Sequence, residues 1–132
     1  MYAALDISKN KIGIAISNWN RDGILWASSI KNKLPLLEKY YKYYKPEMTL
    51  IGIPTHSDGN LTSNGNFIKS FIKNIDFICP FEYVDEYLST QEAKRIKNTM
   101  KLKIEVDALV AMIMIYKHLK IESALLHYGL YY

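Results

Sequence analysis

At 132 residues the chain has the length of one domain, enough to bury a single core without disulfide or metal staples. Its residues are 49% apolar, which excludes a disordered chain, and the lone Cys79 excludes an internal disulfide and fits a reducing, cytoplasmic setting. A net charge of +4 and a pI of about 9.0 lean toward polyanionic partners, with lysine supplying the charge because Arg21 and Arg95 are the only arginines.

Tyr2 to Ser8, Lys11 to Ser17 and Gly23 to Ser29 read as three strands separated by short turns of Lys, Asn, Asp and Gly. Connections this short predict an antiparallel meander. Leu34, Leu37, Tyr40, Tyr41 and Tyr44 recur at helical spacing, so Leu34 to Tyr44 is a predicted helix closed by Pro46. Met48 to Ile53 is a short apolar strand ending at Pro54. Reached through a helix, it should lie parallel to an earlier strand. A polar loop with Asp58-Gly59 leads to a helix over Asn66 to Ile75, then a strand over Phe81 to Val84. Ser89-Thr90-Gln91-Glu92 matches a capping box at the start of a third helix. Asp107 to Leu119 is a last helix, apolar nearly all round and therefore expected to be deeply buried. The apolar run Val106 to Tyr116 is interrupted by Asp107 and too short for a membrane span, and no secretory leader is expected at the N-terminus.

This order predicts an α/β fold of the ribonuclease H-like kind. A mixed five-stranded sheet would combine a three-strand antiparallel meander with two parallel strands, and helices would cover both faces. Residues 1–119 would form the domain, and 120–132 a tail packed on it or at a contact between two copies.

The carboxylates carry the chemistry. Asp6 falls in the strand expected at the sheet centre, where a charge is costly unless paired or bound to metal. The alternative places it toward solvent near an edge. Asp85 and Glu86 end a parallel strand, where ligand sites gather in such sheets. Adjacent strand residues point to opposite faces, so one of the two should reach the site of Asp6, and which one stays open. An acidic pair there could equally serve a helix dipole. Asp107 opens the last helix and reads as an N-cap, a role compatible with metal ligation. Three acidic positions far apart in sequence suggest a divalent-metal phosphodiesterase. His56, His118 and His127 have no metal-ligand spacing. The Tyr40-Tyr41-Lys42-Tyr43-Tyr44 run reads as one packed and one solvated helix face, with base stacking beside lysines as the alternative.

Four blocks resemble the YqgF/RuvX proteins. They are Leu5 to Ser17, Leu50-Ile51-Gly52-Ile53-Pro54 with Asp58-Gly59, Asp85 to Ala93, and Val106 to Ala111, in the family's order. The resemblance implies a ribonuclease H-like nuclease that trims the 5′ end of precursor 16S rRNA, with Asp6, the Asp85-Glu86 pair and Asp107 as active-site acids. Asp6, Glu86 and Asp107 would hold Mg²⁺ or Mn²⁺, the ions suited to an all-oxygen site. Where the family pattern has arginine this chain has Lys11, Asn64 and Tyr87, and Ser8 replaces a usual glycine. Lys9, Lys11 and Asn64 are the expected nucleic-acid contacts, with a weaker grip because lysine does not hold phosphate bidentately. The partner would be precursor rRNA rather than branched DNA, and the chain a monomer or weak homodimer away from membranes. A Holliday junction resolvase and a catalytically weak RNA-binding assembly factor are the alternatives.

Overall fold

A computed structural model describes residues 1–18, 20, 23–54, 62–78, 80–85 and 87–119, with 87–90 described by their backbone alone. In chain order the elements are β1 (Tyr2–Ile7), β2 (Lys11–Ser17), β3 (Ile24–Lys31), α1 (Leu34–Tyr44), β4 (Met48–Ile53), α2 (Ser63–Lys73), β5 (Phe81–Asp85), α3 (Tyr87–Met100) and α4 (Val106–Leu119). The strands form one sheet in the order β3-β2-β1-β4-β5. β1–β2 and β2–β3 pair antiparallel, and β1–β4 and β4–β5 pair parallel. The expected mixed sheet is therefore present, and β1 occupies its centre.

Strand alternation divides the core in two. Ala3, Leu5, Ile7, Ile12, Ile14 and Ile51 face α1 and α2, where Leu37, Tyr41, Ile68 and Ile72 cover them. Ala4, Ala15 and Leu50 face the other way, under α3 and α4. Strands carrying apolar residues on both faces suit a sheet covered on both sides. In α4 every residue from Ala108 to Tyr116 is buried, as its unbroken apolarity requires. Each fully buried Leu or Ile contributes about 1.5–3 kcal/mol relative to exposure, so this helix is a principal source of stability.

Several boundaries differ from expectation, for local reasons. β3 runs on to Lys31 because Ile30 and Lys31 still pair with Ile12 and Lys11. α2 starts at Ser63 and not Asn66, since the Thr62 hydroxyl caps it by accepting from Gly65 N at 3.0 Å. α3 begins at Tyr87, so Ser89 and Thr90 lie inside its first turn and are not its cap. α1 stops where Lys45 turns left-handed (φ 51°) ahead of Pro46. Within the α1 side, Tyr41 Oη and Thr49 Oγ1 share a buried hydrogen bond of 2.7 Å. Burial pushes the Tyr41 phenol well above its ordinary range, and the Thr49 bond opposes this only in part.

Candidate active site

Asp6, Gly13 and Ser29 stand side by side across β1, β2 and β3. Asp6 pairs with Gly13, and Gly13 with Ser29. Directly paired residues share a face, and Asp6 has the parity of Ala4, so all three look toward α4. Gly13 is the reason that α4 can come down onto them. A Cβ at this position would overlap the Asp107 carbonyl group and lie 2.8 Å from Ala108 N. The missing side chain thus sets the first turn of α4 against the strand that carries Asp6's partner.

Asp107 is fixed at this contact. Ser29 Oγ donates to Asp107 Oδ2 at 2.9 Å, and Ala108 N donates to Oδ1 at 2.9 Å. Each oxygen keeps a second acceptor direction. Asp107 is half-buried, as is Asp6. The helix begins at Val106 and Leu109 N bonds to Glu105 O, so Asp107 lies in the first turn and is not the N-cap expected from its sequence position. Its negative charge still complements the helix N-terminus.

The third acidic position is only half described. Asp85 ends β5 and is exposed. Tyr83 packs on the α1/α2 side and Val84 on the α4 side. Strict alternation would turn Asp85 toward Tyr83, yet Asp85 also borders a small cleft of about 200 Å³ with Val84, Met114, Lys117 and His118. It therefore sits where the strand's regular alternation ends. Glu86 lies outside the described residues, as do Asp58, His56, His127, Cys79 and the whole tail. Among the described residues, no three His, Cys, Asp or Glu side chains form a metal-holding group. Asp6 and Asp107 share the α4 face of the sheet, on either side of Gly13.

The expected phosphate contacts fall on both sides of the acids. The β1–β2 turn is held by Ser8, whose Oγ donates to Lys11 O at 3.0 Å, and by Asn32, whose Nδ2 donates to Ser8 O at 2.6 Å. Ser8 at the family's glycine position is thus an ordered turn residue. Lys11 has Gly13's parity and approaches Glu105, just ahead of α4, at 3.9 Å. Both of these side chains are exposed, so the pair is weak. Lys9 and Asn64 line one open cleft of about 450 Å³ with Ser63, Asn66, Phe67 and Ser70 at the start of α2. Lys11 and the Lys9–Asn64 cleft therefore flank the C-terminal end of β1.

Ser29 and Gly13 were not singled out by sequence reasoning as parts of the site. The available signals were a polar Ser28-Ser29 pair inside an apolar strand and a glycine between Ile12 and Ile14.

A central strand between an antiparallel meander and two parallel strands, with helices on both faces, defines a ribonuclease H-like fold. Among solved structures, Thermus thermophilus RuvC in complex with Holliday junction substrate superposes with a TM-score of 0.53 at 11% identity, covering 91% of this chain and 96% of that one. The family profile described as "RuvX: Holliday junction resolvase" matches residues 1–121, and the chain belongs to this family. Its relatives include a protein of Halothermothrix orenii, 27% identical over 135 residues, covering 92% of this chain and 95% of the relative. Another, from Desulforamulus reducens, is 27% identical over 99 residues, covering 70% and 72%. Both carry the name "Putative pre-16S rRNA nuclease". Among the described residues, no helix is long and apolar enough to cross a membrane.

Proposed function

We propose that this chain is a metal-dependent endonuclease that cuts structured RNA, with the 5′ end of precursor 16S rRNA as its substrate. The observation that carries the reading is the line of Asp6, Gly13 and Ser29 beneath Asp107. It sets two acids that are 101 residues apart in sequence (107 − 6) on one face of the sheet, Asp6 on one side of Gly13 and the Ser29-bound Asp107 on the other. Asp6 is half-exposed, and Asp107 retains an acceptor direction on each oxygen, so the donors fit a hard divalent ion such as Mg²⁺ or Mn²⁺. Such an ion, when bound, activates water and stabilises the leaving oxygen of a phosphodiester.

Asp6 and Asp107 would hold the ion from the strand and helix sides. The third ligand would come from the Asp85-Glu86 pair, of which Asp85 ends β5 and borders the cleft beside Val84 and Met114. Ser29 would keep the Asp107 carboxylate from rotating away. Lys11 would receive a phosphate on the α4 side, and Lys9 and Asn64 would receive the next along the strand on the α2 side.

The test is cleavage of a precursor 16S rRNA fragment by purified protein with Mg²⁺ or Mn²⁺. Asp6→Asn should abolish it, and Mn²⁺ should raise the melting temperature of wild type but not of Asp6→Asn. Full activity in Asp6→Asn would overturn the proposal. The family's description supports a second reading, cleavage of a four-way DNA junction. Side-by-side assays of junction and precursor rRNA separate the two.

A further inference from the structure

The Tyr-rich end of α1 is not used by the proposed site. Trp26 on β3 stacks with Tyr40 at 4.8 Å and with Tyr44 at 5.6 Å between ring centroids. Tyr41 is buried. Those three tyrosines are packed, as the helical-face reading expects. Tyr43 is different. It is 79% exposed, and its ring meets Tyr44 edge-on at 4.8 Å, interplanar angle 85°. Lys39, Tyr40, Lys42, Tyr43 and Tyr44 line one open cleft of about 550 Å³.

An exposed ring braced by a stacked aromatic group costs little entropy to use, because its support is already ordered. The surroundings are cationic. Lys39, Lys42 and Lys45 stand at this end of α1, against Glu38, whose partner is Lys42 at 3.4 Å, and Glu47, whose partner is the N-terminal amino group. The position relative to the acids is also informative. β3 is an edge strand that presents Ser29 to Asp107 on one face and Trp26 to the tyrosines on the other. Trp26 is level with Ile16 and Ala3, about 10 Å along the strands from Asp6 and roughly 10 Å across two strands, on the opposite face of the sheet. A single strand leaving the acids can therefore pass round one sheet edge onto the aromatic face.

We infer that this face is a second contact for the nucleic acid, in which an unpaired base stacks on Tyr43 while Lys39 and Lys42 meet the flanking phosphates. The inference rests on the nuclease reading for the identity of the ligand as RNA. A flexible unpaired strand fits better than a duplex, since stacking needs a base face that pairing and stacking in a helix conceal. This contact would favour substrates with a single-stranded extension beside the cleavage point.

Binding is measured by fluorescence anisotropy with inactive Asp6→Asn protein, an unpaired 20-nucleotide RNA and a blunt RNA duplex. Tyr43→Ala on that background should weaken the unpaired RNA by about five- to 150-fold, the loss typical of one base–aromatic stack, and leave the duplex within twofold. Tyr43→Phe should retain binding, because it keeps the ring. Lys42→Gln should lower the slope of log affinity against log salt by roughly 0.7, the single-strand value for one phosphate. Tyr43→Ala binding as tightly as its parent overturns the inference, as does equal weakening of the duplex. If Tyr43→Ala instead converts a dimer to a monomer in sedimentation, the face is a contact between copies and the inference fails. No binding by the parent at all would overturn the nuclease reading itself.

Discussion

Gly13→Ala should separate folding from catalysis in this protein. The new Cβ would overlap backbone atoms of Asp107 and not the tip of a movable side chain. Restoring ordinary contact requires the first turn of α4 to lift by on the order of 1 Å. Overpacking of this kind costs about 1–3 kcal/mol, and relief of the strand glycine returns roughly 0.5–1 kcal/mol, leaving a net loss of up to about 2.5 kcal/mol. At a urea m-value of about 2 kcal/mol/M, the midpoint should fall by up to roughly 1.2 M. The effect on cleavage should be larger than this loss suggests. The lift moves Asp107 away from both Asp6 and Ser29, and a misplacement of about 1 Å costs on the order of 100-fold in rate. Urea titration and single-turnover cleavage, the latter at a temperature where the variant is fully folded, measure the two effects. Gly23→Ala is the control, because its Cβ would meet only Asn18 Nδ2 at an ordinary 3.4 Å. That variant should stay within about 0.5 kcal/mol of wild type. A Gly13→Ala protein with wild-type midpoint and wild-type rate would refute the close-approach argument.

Ser29→Ala should slow cleavage about tenfold with less than about 1 kcal/mol lost in stability, because a half-buried hydrogen bond to a carboxylate is removed while the packing stays; single-turnover rates and melting curves check it. Tyr41→Phe should cost about 1–2 kcal/mol by leaving Thr49 Oγ1 without its buried partner. The Tyr41 phenol is raised in the fold, so the folded state keeps a proton that the unfolded chain loses above its ordinary 10.0. Wild-type stability should therefore hold below pH 10 and fall above it, and Tyr41→Phe should flatten that decline in urea midpoints measured from pH 8 to 11. Lys11→Ala should reduce the salt slope of RNA affinity by roughly one unit, and Lys11→Arg should tighten binding, as a filter-binding series at several salt concentrations would register.

Much of the fold was legible because its signals are local. Period-two alternation in Ile12, Ile14 and Ile16, and the short turns around them, specify the meander without knowledge of any distant residue. The apolar run Ala108 to Tyr116 likewise announces a buried helix. Helix starts were less legible. Thr62 caps α2 from within a polar loop, where one hydroxyl among several small residues carries no periodic signal. The Ser89-to-Glu92 pattern matched a cap by composition, but α3 already runs from Tyr87.

The site was legible to a different depth. Asp6 could be named because a carboxylate within an apolar strand is costly, and Asp107 because it opens an apolar helix; both signals are visible in sequence. What sets them on one face could not be read the same way. The contact depends on Gly13, and its importance comes from a helix that starts 93 residues later (106 − 13). A glycine in a strand has several meanings, among them a bulge or a close approach, and only the partner distinguishes them. Ser29 poses the same difficulty, since a serine near a strand end gains its role when β3 pairs in register with Gly13. The acids are thus specified one at a time, while their assembly depends on two small residues with no charge. Substitution at Gly13 or Ser29 should therefore slow cleavage although the sequence keeps every carboxylate.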